Sequence, residues 1–242
     1  MESPLLIALS GADVLRRRMD VVANNIANST TAGFRREDTL LQTARVEPKR
    51  NQPLDFVMDR ATYRDLSQGA IQQTGNELDV ALTGPGFLSV RNTDGSTVYT
   101  RAGSMKLNPE GNLVDASGNT ILSDGNDVIN IPDTVASISI AGDGTISGEQ
   151  GVLGKLAISE ISNAQELSPI GNNYFKLGNK ATATPAVETA LTQGAIEGSN
   201  VKPVVEMTQM MEISRRYQAV ANIMEQEHDR IRSAIRTLGK VV

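Results

Sequence analysis

Pro203-Val-Val-Glu-Met207-Thr-Gln-Met210-Met-Glu-Ile213-Ser-Arg-Arg216-Tyr217-Gln-Ala-Val220-Ala-Asn-Ile-Met224 is the stretch that decides the fold, and its pattern continues through Ile231, Ala234, Leu238 and Val241. Apolar residues return every three or four positions, with Glu227 the one break in the seam, which predicts an amphipathic helix. Pro203 suits a first helical turn and Gly239 a stop. About 35 residues without a breaker make a helix on the order of 50 Å. That is longer than a domain of this size usually holds, so the helix needs partners along its length.

The N-terminus repeats the pattern with Leu5, Leu9, Ala12, Leu15, Met19, Val22 and Ile26. Ser3-Pro4 offers a cap and first-turn proline, and Asn28-Ser-Thr-Thr-Ala-Gly33 offers the stop, giving a helix of roughly 35 to 40 Å. Between the helices the period changes. Phe87–Val90, Thr97–Thr100, Asn112–Val114, Thr120–Leu122, Ser137–Ile140 and Lys155–Ile158 are short β-rich runs, punctuated by Asp94-Gly95, Glu110-Gly111, Ser117-Gly118, Asp124-Gly125 and Asp143-Gly144. Such spacing predicts an antiparallel sandwich or barrel-like domain. The fold class expected is α+β: helical segments at 1–33 and 201–242 paired as a coiled-coil-like inner domain, an extended connector at 34–69, and an inserted all-β domain at 70–200.

Composition removes whole classes of chemistry. The 242 residues carry 23 Lys+Arg against 28 Asp+Glu, a formal net charge of -5, so chain-wide basicity does not drive binding to nucleic acid. The charge is uneven: residues 110–200 hold eleven acidic side chains against Lys155, Lys176 and Lys180, a net of -8, which leaves +3 on the rest. With no Cys there is neither disulfide nor thiolate site, and the single His228 supports no metal cluster or His-centred triad. No metal or other cofactor and no catalytic residue is expected. No apolar run is long enough to span a membrane, and MESPLLIALSG has an acidic residue and too short an apolar run for a secretory leader.

Motif-like stretches fail on their requirements. Gly142-Asp-Gly144-Thr-Ile-Ser-Gly148 has its third glycine misplaced for a phosphate loop, and neither Asp124-Gly-Asn-Asp127 nor Asn92-Thr-Asp94-Gly95 meets the calcium-loop pattern; both read as hairpin turns. His228 and Arg16-Arg17-Arg18 read as solvated helix positions or interface contacts. An apolar face on each terminal helix exceeds what a β domain covers along its length, so pairing with each other and with neighbouring copies is expected.

The residues then resemble a known family. Ala23-Asn-Asn-Ile-Ala-Asn28, followed by Thr31-Ala-Gly33-Phe34-Arg-Arg, is similar to the N-terminal signature of the bacterial flagellar axial proteins. Ser67-Gln-Gly69 through Thr74-Gly75-Asn76-Glu-Leu78-Asp79 to Gly84-Pro-Gly86-Phe87, then Tyr99-Thr-Arg101-Ala-Gly103 and Gly111-Asn-Leu-Val114, resembles its second block. Gln193-Gly-Ala-Ile-Glu197-Gly-Ser-Asn200-Val201, with Glu206-Met207 and Arg216-Tyr217, resembles the C-terminal block.

The resemblance implies a non-enzymatic subunit of the basal-body rod, exported by the flagellar type III apparatus, that assembles helically with itself and other rod proteins, crosses the periplasm and transmits motor torque. The chain length is similar to that of proximal-rod members, with distal-rod members as the nearest alternative and an oligomeric adhesin or fibre module as a different class. A carboxylate-based hydrolase would need two converging acids that the sequence does not single out. The interface is expected to run through Leu9, Met19, Val22, Asn24, Asn25, Ile26, Asn28, Gly33, Phe34, Asn200, Met207, Met210, Ile213, Arg216, Tyr217, Val220, Met224, Ile231 and Leu238. Asn24, Asn25 and Asn28 interrupt an apolar stripe, and amide hydrogen bonds across subunits are expected of them.

Overall fold

A computed structural model describes residues 3–46, 54–132, 134–135 and 137–238. The chain forms two compact units and passes between them four times: Met1–Ala27, Glu37–Asp65 and Lys202–Val242 make one, Asn28–Arg36 and Leu66–Val201 the other.

The first unit holds α1 (Ser3–Ala27), the hairpin of β1 (Glu37–Val46) and β2 (Leu54–Arg64), and α2 (Pro203–Leu238). At 36 residues α2 is about 54 Å long. α1 lies against α2 and against both strands of the hairpin. Val14, Val22 and Ile213 are the buried apolar side chains of this unit among the described residues. The expected stop at Gly239 and the last seam position, Val241, lie outside the described residues.

The segment read above as an extended connector differs most from expectation. Glu37–Val46 and Leu54–Arg64 pair antiparallel from Glu37↔Arg64 to Val46↔Leu54, with a bulge where Leu40 faces Ala61 and Leu41 faces Asp59, so that Arg60 is the extra residue. A lone two-stranded hairpin is marginal in water and needs a surface to pack on. α1 supplies it, a long-range contact that the polar local composition does not reveal.

The second unit is antiparallel throughout its described pairings. Its largest sheet runs in the order Ser168–Gly171, Tyr174–Lys176, Thr97–Thr100, Phe87–Arg91, Thr120–Ile121, Leu113–Asp115, Met105–Leu107, and Ile158–Ile161 branches from Phe87–Arg91. Ile138–Ile140, Thr145–Gly148 and Gly151–Lys155 make a separate three-stranded sheet. Val80, Leu82, Leu88, Val98, Ile121 and Ile146 are among the wholly buried aliphatic residues of the core between them. The run Lys155–Ile158, expected as one strand, straddles a sheet change: Gly151–Lys155 ends, Leu156 N donates to Gly144 O, Ala157 N donates to Leu122 O, and a new strand begins at Ile158. At the corners Asp94 accepts from Ser96 N at 2.8 Å and Asp143 from Thr145 N at 3.0 Å, closing the hairpins.

Candidate assembly site and the two clasps beside it

α1 ends beside the first of two polar clusters, each contained in one unit. Asn25 is fully buried. Its Oδ1 accepts from Glu37 N at 3.0 Å, while Nδ2 donates to Glu37 O at 2.8 Å and to Glu206 Oε2 at 3.2 Å. One amide thus reads both backbone groups of the first residue of β1 and touches the first turn of α2. Across the hairpin Arg64 Nε lies 3.0 Å from Glu37 Oε1, which adds the end of β2. Both amide hydrogens and the amide oxygen are used inside the chain. The expected hydrogen bond from Asn25 to a neighbouring subunit is therefore replaced by one that shapes its own unit, because a saturated buried amide has nothing left to offer outside.

The second cluster gathers Asn28–Arg36, Ser67–Gly69 and Glu197–Asn200 within the β-rich unit. Glu197 is its hub: Oε1 lies 2.6 Å from Arg35 Nη1 and accepts from Gly69 N at 2.9 Å, and Oε2 lies 3.4 Å from Arg101 Nη1. The three charged side chains are 1%, 3% and 0% exposed for Arg35, Arg101 and Glu197. Arg35 Nη1 also donates to Ser67 O at 2.7 Å, Arg101 Nη2 donates to Gly84 O, and the Arg101 guanidinium lies 5.1 Å over the Phe87 ring. Burial lowers the Arg101 pKa to about 10, against the upward pull of Glu197 and with a further push from Arg35; it remains a cation at neutral pH. Asn200 completes the cluster, accepting from Arg36 N at 2.6 Å and donating to Ser67 O at 3.0 Å.

Gly33 sits in this cluster with φ of +67°, and its N–H donates to Glu197 O at 2.7 Å. A Cβ there would stand 2.5 Å from the Arg101 carbonyl carbon. Gly69 is as tightly placed, since its Cβ would meet Gly198 O at 2.0 Å. Both glycines are required by close backbone approach, and both lie in the sequence blocks singled out above.

The remaining expected interface residues divide by face. Met19, Ile26, Met210, Val220, Met224 and Ile231 are half-buried in the helical unit, beside buried Val22 and Ile213. Leu9 and Met207 are 53% and 51% exposed, and Asn24, Arg216 and Tyr217 are exposed as well. Met207 falls off the inward face because Glu206 occupies it. Leu5, Leu6, Ile7, Val204 and Met211 extend the exposed apolar surface. Asn28, Gly33, Phe34 and Asn200 belong to the β-rich unit, and the side chain of Leu238, the last residue of α2, lies outside the described ones. Glu227, the break in the seam, is half-buried with Arg230 2.8 Å away. Arg16 and Arg17 bridge to half-buried Asp13 at 3.1 and 3.2 Å, and His228 is exposed.

The motifs quoted above contain Arg35, Arg101, Glu197 and Glu206 without a role for them, and Glu37 follows directly after the first. The available signal was a charged residue in a stretch of small and apolar neighbours, as in Gly194-Ala-Ile-Glu197-Gly. Among the described residues no group of three His, Asp or Glu converges to hold a metal, and no helix is long and apolar enough to cross a membrane.

The chain thus holds an aliphatic β-rich unit, inserted in the sequence between two long amphipathic helices that leave apolar residues in solvent. Family models agree along the chain: "Flagella basal body rod protein" matches residues 5–35, "Flagellar hook protein FlgE/F/G D1 domain" residues 81–148, and "Flagellar basal body rod FlgEFG protein C-terminal" residues 192–237. The chain is 35% identical to the flagellar basal-body rod protein FlgF of Caulobacter vibrioides, covering 100% of both chains, and 28% identical to FlgF of Mesorhizobium japonicum, covering 99% of both. It is 32% identical to the flagellar basal-body rod protein FlgG of Agrobacterium fabrum, over 91% of this chain and 93% of that one. The chain belongs to the flagellar basal-body rod protein family. It is a FlgF-like structural subunit located in the rod of the flagellar basal body.

Proposed function

We propose that this chain builds the proximal part of the rod, assembling helically through α1 and α2 with further copies of itself and with other rod proteins, and that it carries motor torque without catalysis or cofactor. The observation that carries the reading is the apolar surface left in solvent by the helical unit, with Leu9 and Met207 each about half exposed. Side chains of this kind, repeated along a helix of 36 residues, are covered when copies add head to tail in a contact that does not close into a ring. Inside one chain α1 and α2 pair in a coiled-coil-like manner, and Asn24, exposed on α1, faces the neighbour. Length supports the proximal position, since the FlgF chains match end to end.

Torque passes between the two units through four covalent crossings, whose ends the clasps hold. The β-rich unit is the outer domain, the hairpin of β1 and β2 wedges between neighbours, and the subunit reaches its place through the flagellar type III export apparatus.

The test is purification of hook-basal bodies from the wild type, from a deletion strain and from one expressing Met207→Glu. Wild-type protein in the rod, arrest before the hook in the deletion, and a folded Met207→Glu chain that fails to incorporate are expected. Complete basal bodies in the deletion strain would refute the proposal.

A further inference from the structure

The β-rich unit has a pocket of about 480 Å³ whose lining includes Leu66, Pro85, Phe87, Ile161, Arg35 and Arg101. We propose that this pocket receives a carboxylate side chain from a second copy of the chain; the inference rests on the reading of the protein as a self-assembling subunit.

Charge sets the ligand class. Two guanidinium groups share the single carboxylate of Glu197, and Glu197 and Arg35 are the charges that act on Arg101, which leaves one positive charge in excess. Hydrogen bonding points the same way. Arg35 Nε and Nη2 and Arg101 Nε are buried with no acceptor in reach, although the other nitrogens of both groups are engaged. A guanidinium with an idle edge is shaped for the two oxygens of a carboxylate.

The surroundings favour an occupant delivered by a protein surface. Apolar walls weaken competition from water and strengthen the attraction of opposite charges. The arginines are almost closed off, so a free anion gains little there, whereas a carboxylate held in register by the contacts around it has already lost its freedom of motion. The complement is present on the chain itself: Glu110, Asp124, Asp127, Asp143, Glu149 and Glu188 of the β-rich unit are exposed carboxylates. A second copy therefore brings the charge that the pocket lacks.

Ser162 is an exposed residue on the pocket lining and belongs to neither clasp. Ser162→Glu places a carboxylate there in cis, and Ser162→Gln is its uncharged control. The expected result is a Tm for the full-length Ser162→Glu chain several degrees above that of Ser162→Gln, with incorporation into purified hook-basal bodies at least tenfold lower for Glu and near wild type for Gln. Equal Tm and equal incorporation overturn the proposal, and so does equal loss in both variants, which marks a steric wall without recognition of charge. The Tm comparison reads the pocket independently of the rod, so absence of the wild-type protein from basal bodies would count against the proposed function alone.

Discussion

Glu197→Gln removes one negative charge and keeps the side chain's shape. In the wild type the carboxylate lies 2.6 Å from Arg35 and 3.4 Å from Arg101, with all three side chains no more than 3% exposed. The neutral amide can still accept from Gly69 N, but two buried guanidinium groups then face each other without a counter-charge. Breaking a buried ion pair by removing one partner costs about 3 to 5 kcal/mol. For a chain of this size that corresponds to a fall in Tm of roughly 6 to 20 °C. Urea unfolding of the purified chain should show a lower midpoint, and amide exchange should place the loss at Gly33 and Gly69 in the β-rich unit. Replacing all three charges together, as Arg35→Met, Glu197→Leu and Arg101→Met, should recover most of the stability, because no ion then remains to be desolvated. A loss under about 1 kcal/mol for Glu197→Gln, the scale of an exposed pair, would refute the claim that Glu197 holds the two arginines in buried ion pairs.

Gly33→Val should destabilise the β-rich unit by more than the roughly 1 to 3 kcal/mol of backbone strain, since its Cβ also overlaps the Arg101 carbonyl carbon at 2.5 Å; thermal unfolding checks this, and a soluble variant of unchanged Tm contradicts it. Asn25→Leu leaves the backbone groups of Glu37 without their partner, at about 1 to 3 kcal/mol for each buried polar group stranded. Amide exchange should then quicken around Glu37 and in the first turn of α2 while the β-rich unit keeps its protection, and motility at native expression should fall. Glu160 accepts from Glu188 N, Val187 N and Thr189 Oγ1, and these bonds, that of Glu188 foremost, hold its pKa below 4.5. Its contribution is present above pH 4.5 and is lost as pH falls through the lowered folded value. A titration of its side-chain carbon by NMR should give a value under 4.5, and Glu160→Gln should flatten the acid limb of the stability curve.

The helices were legible because a period of three to four persists over many residues, and a long amphipathic run has few alternative structures. The glycine and asparagine motifs were legible as a family signature, yet their work was not. Asn25 gives no local hint that it will bond to Glu37 and Glu206, the latter 181 residues away. The hairpin of β1 and β2 was not legible because its strands lack a strict alternation of apolar and polar residues and take their support from α1. Lys155–Ile158 was misjudged because β-propensity describes a run of residues and not the sheet each one joins.

By itself the sequence determined the α+β class, the two amphipathic helices and the absence of thiol chemistry, all of which follow from local period and composition. Only the tertiary structure decided that Met207 faces solvent while Ile213 faces inward, that Asn25 serves its own chain, and that Glu197 bridges two arginines distant in sequence. Helical periodicity is a property of neighbours along the chain. Burial, charge pairing and close backbone approach are properties of neighbours in space, which exist only once the chain has crossed four times between its two units.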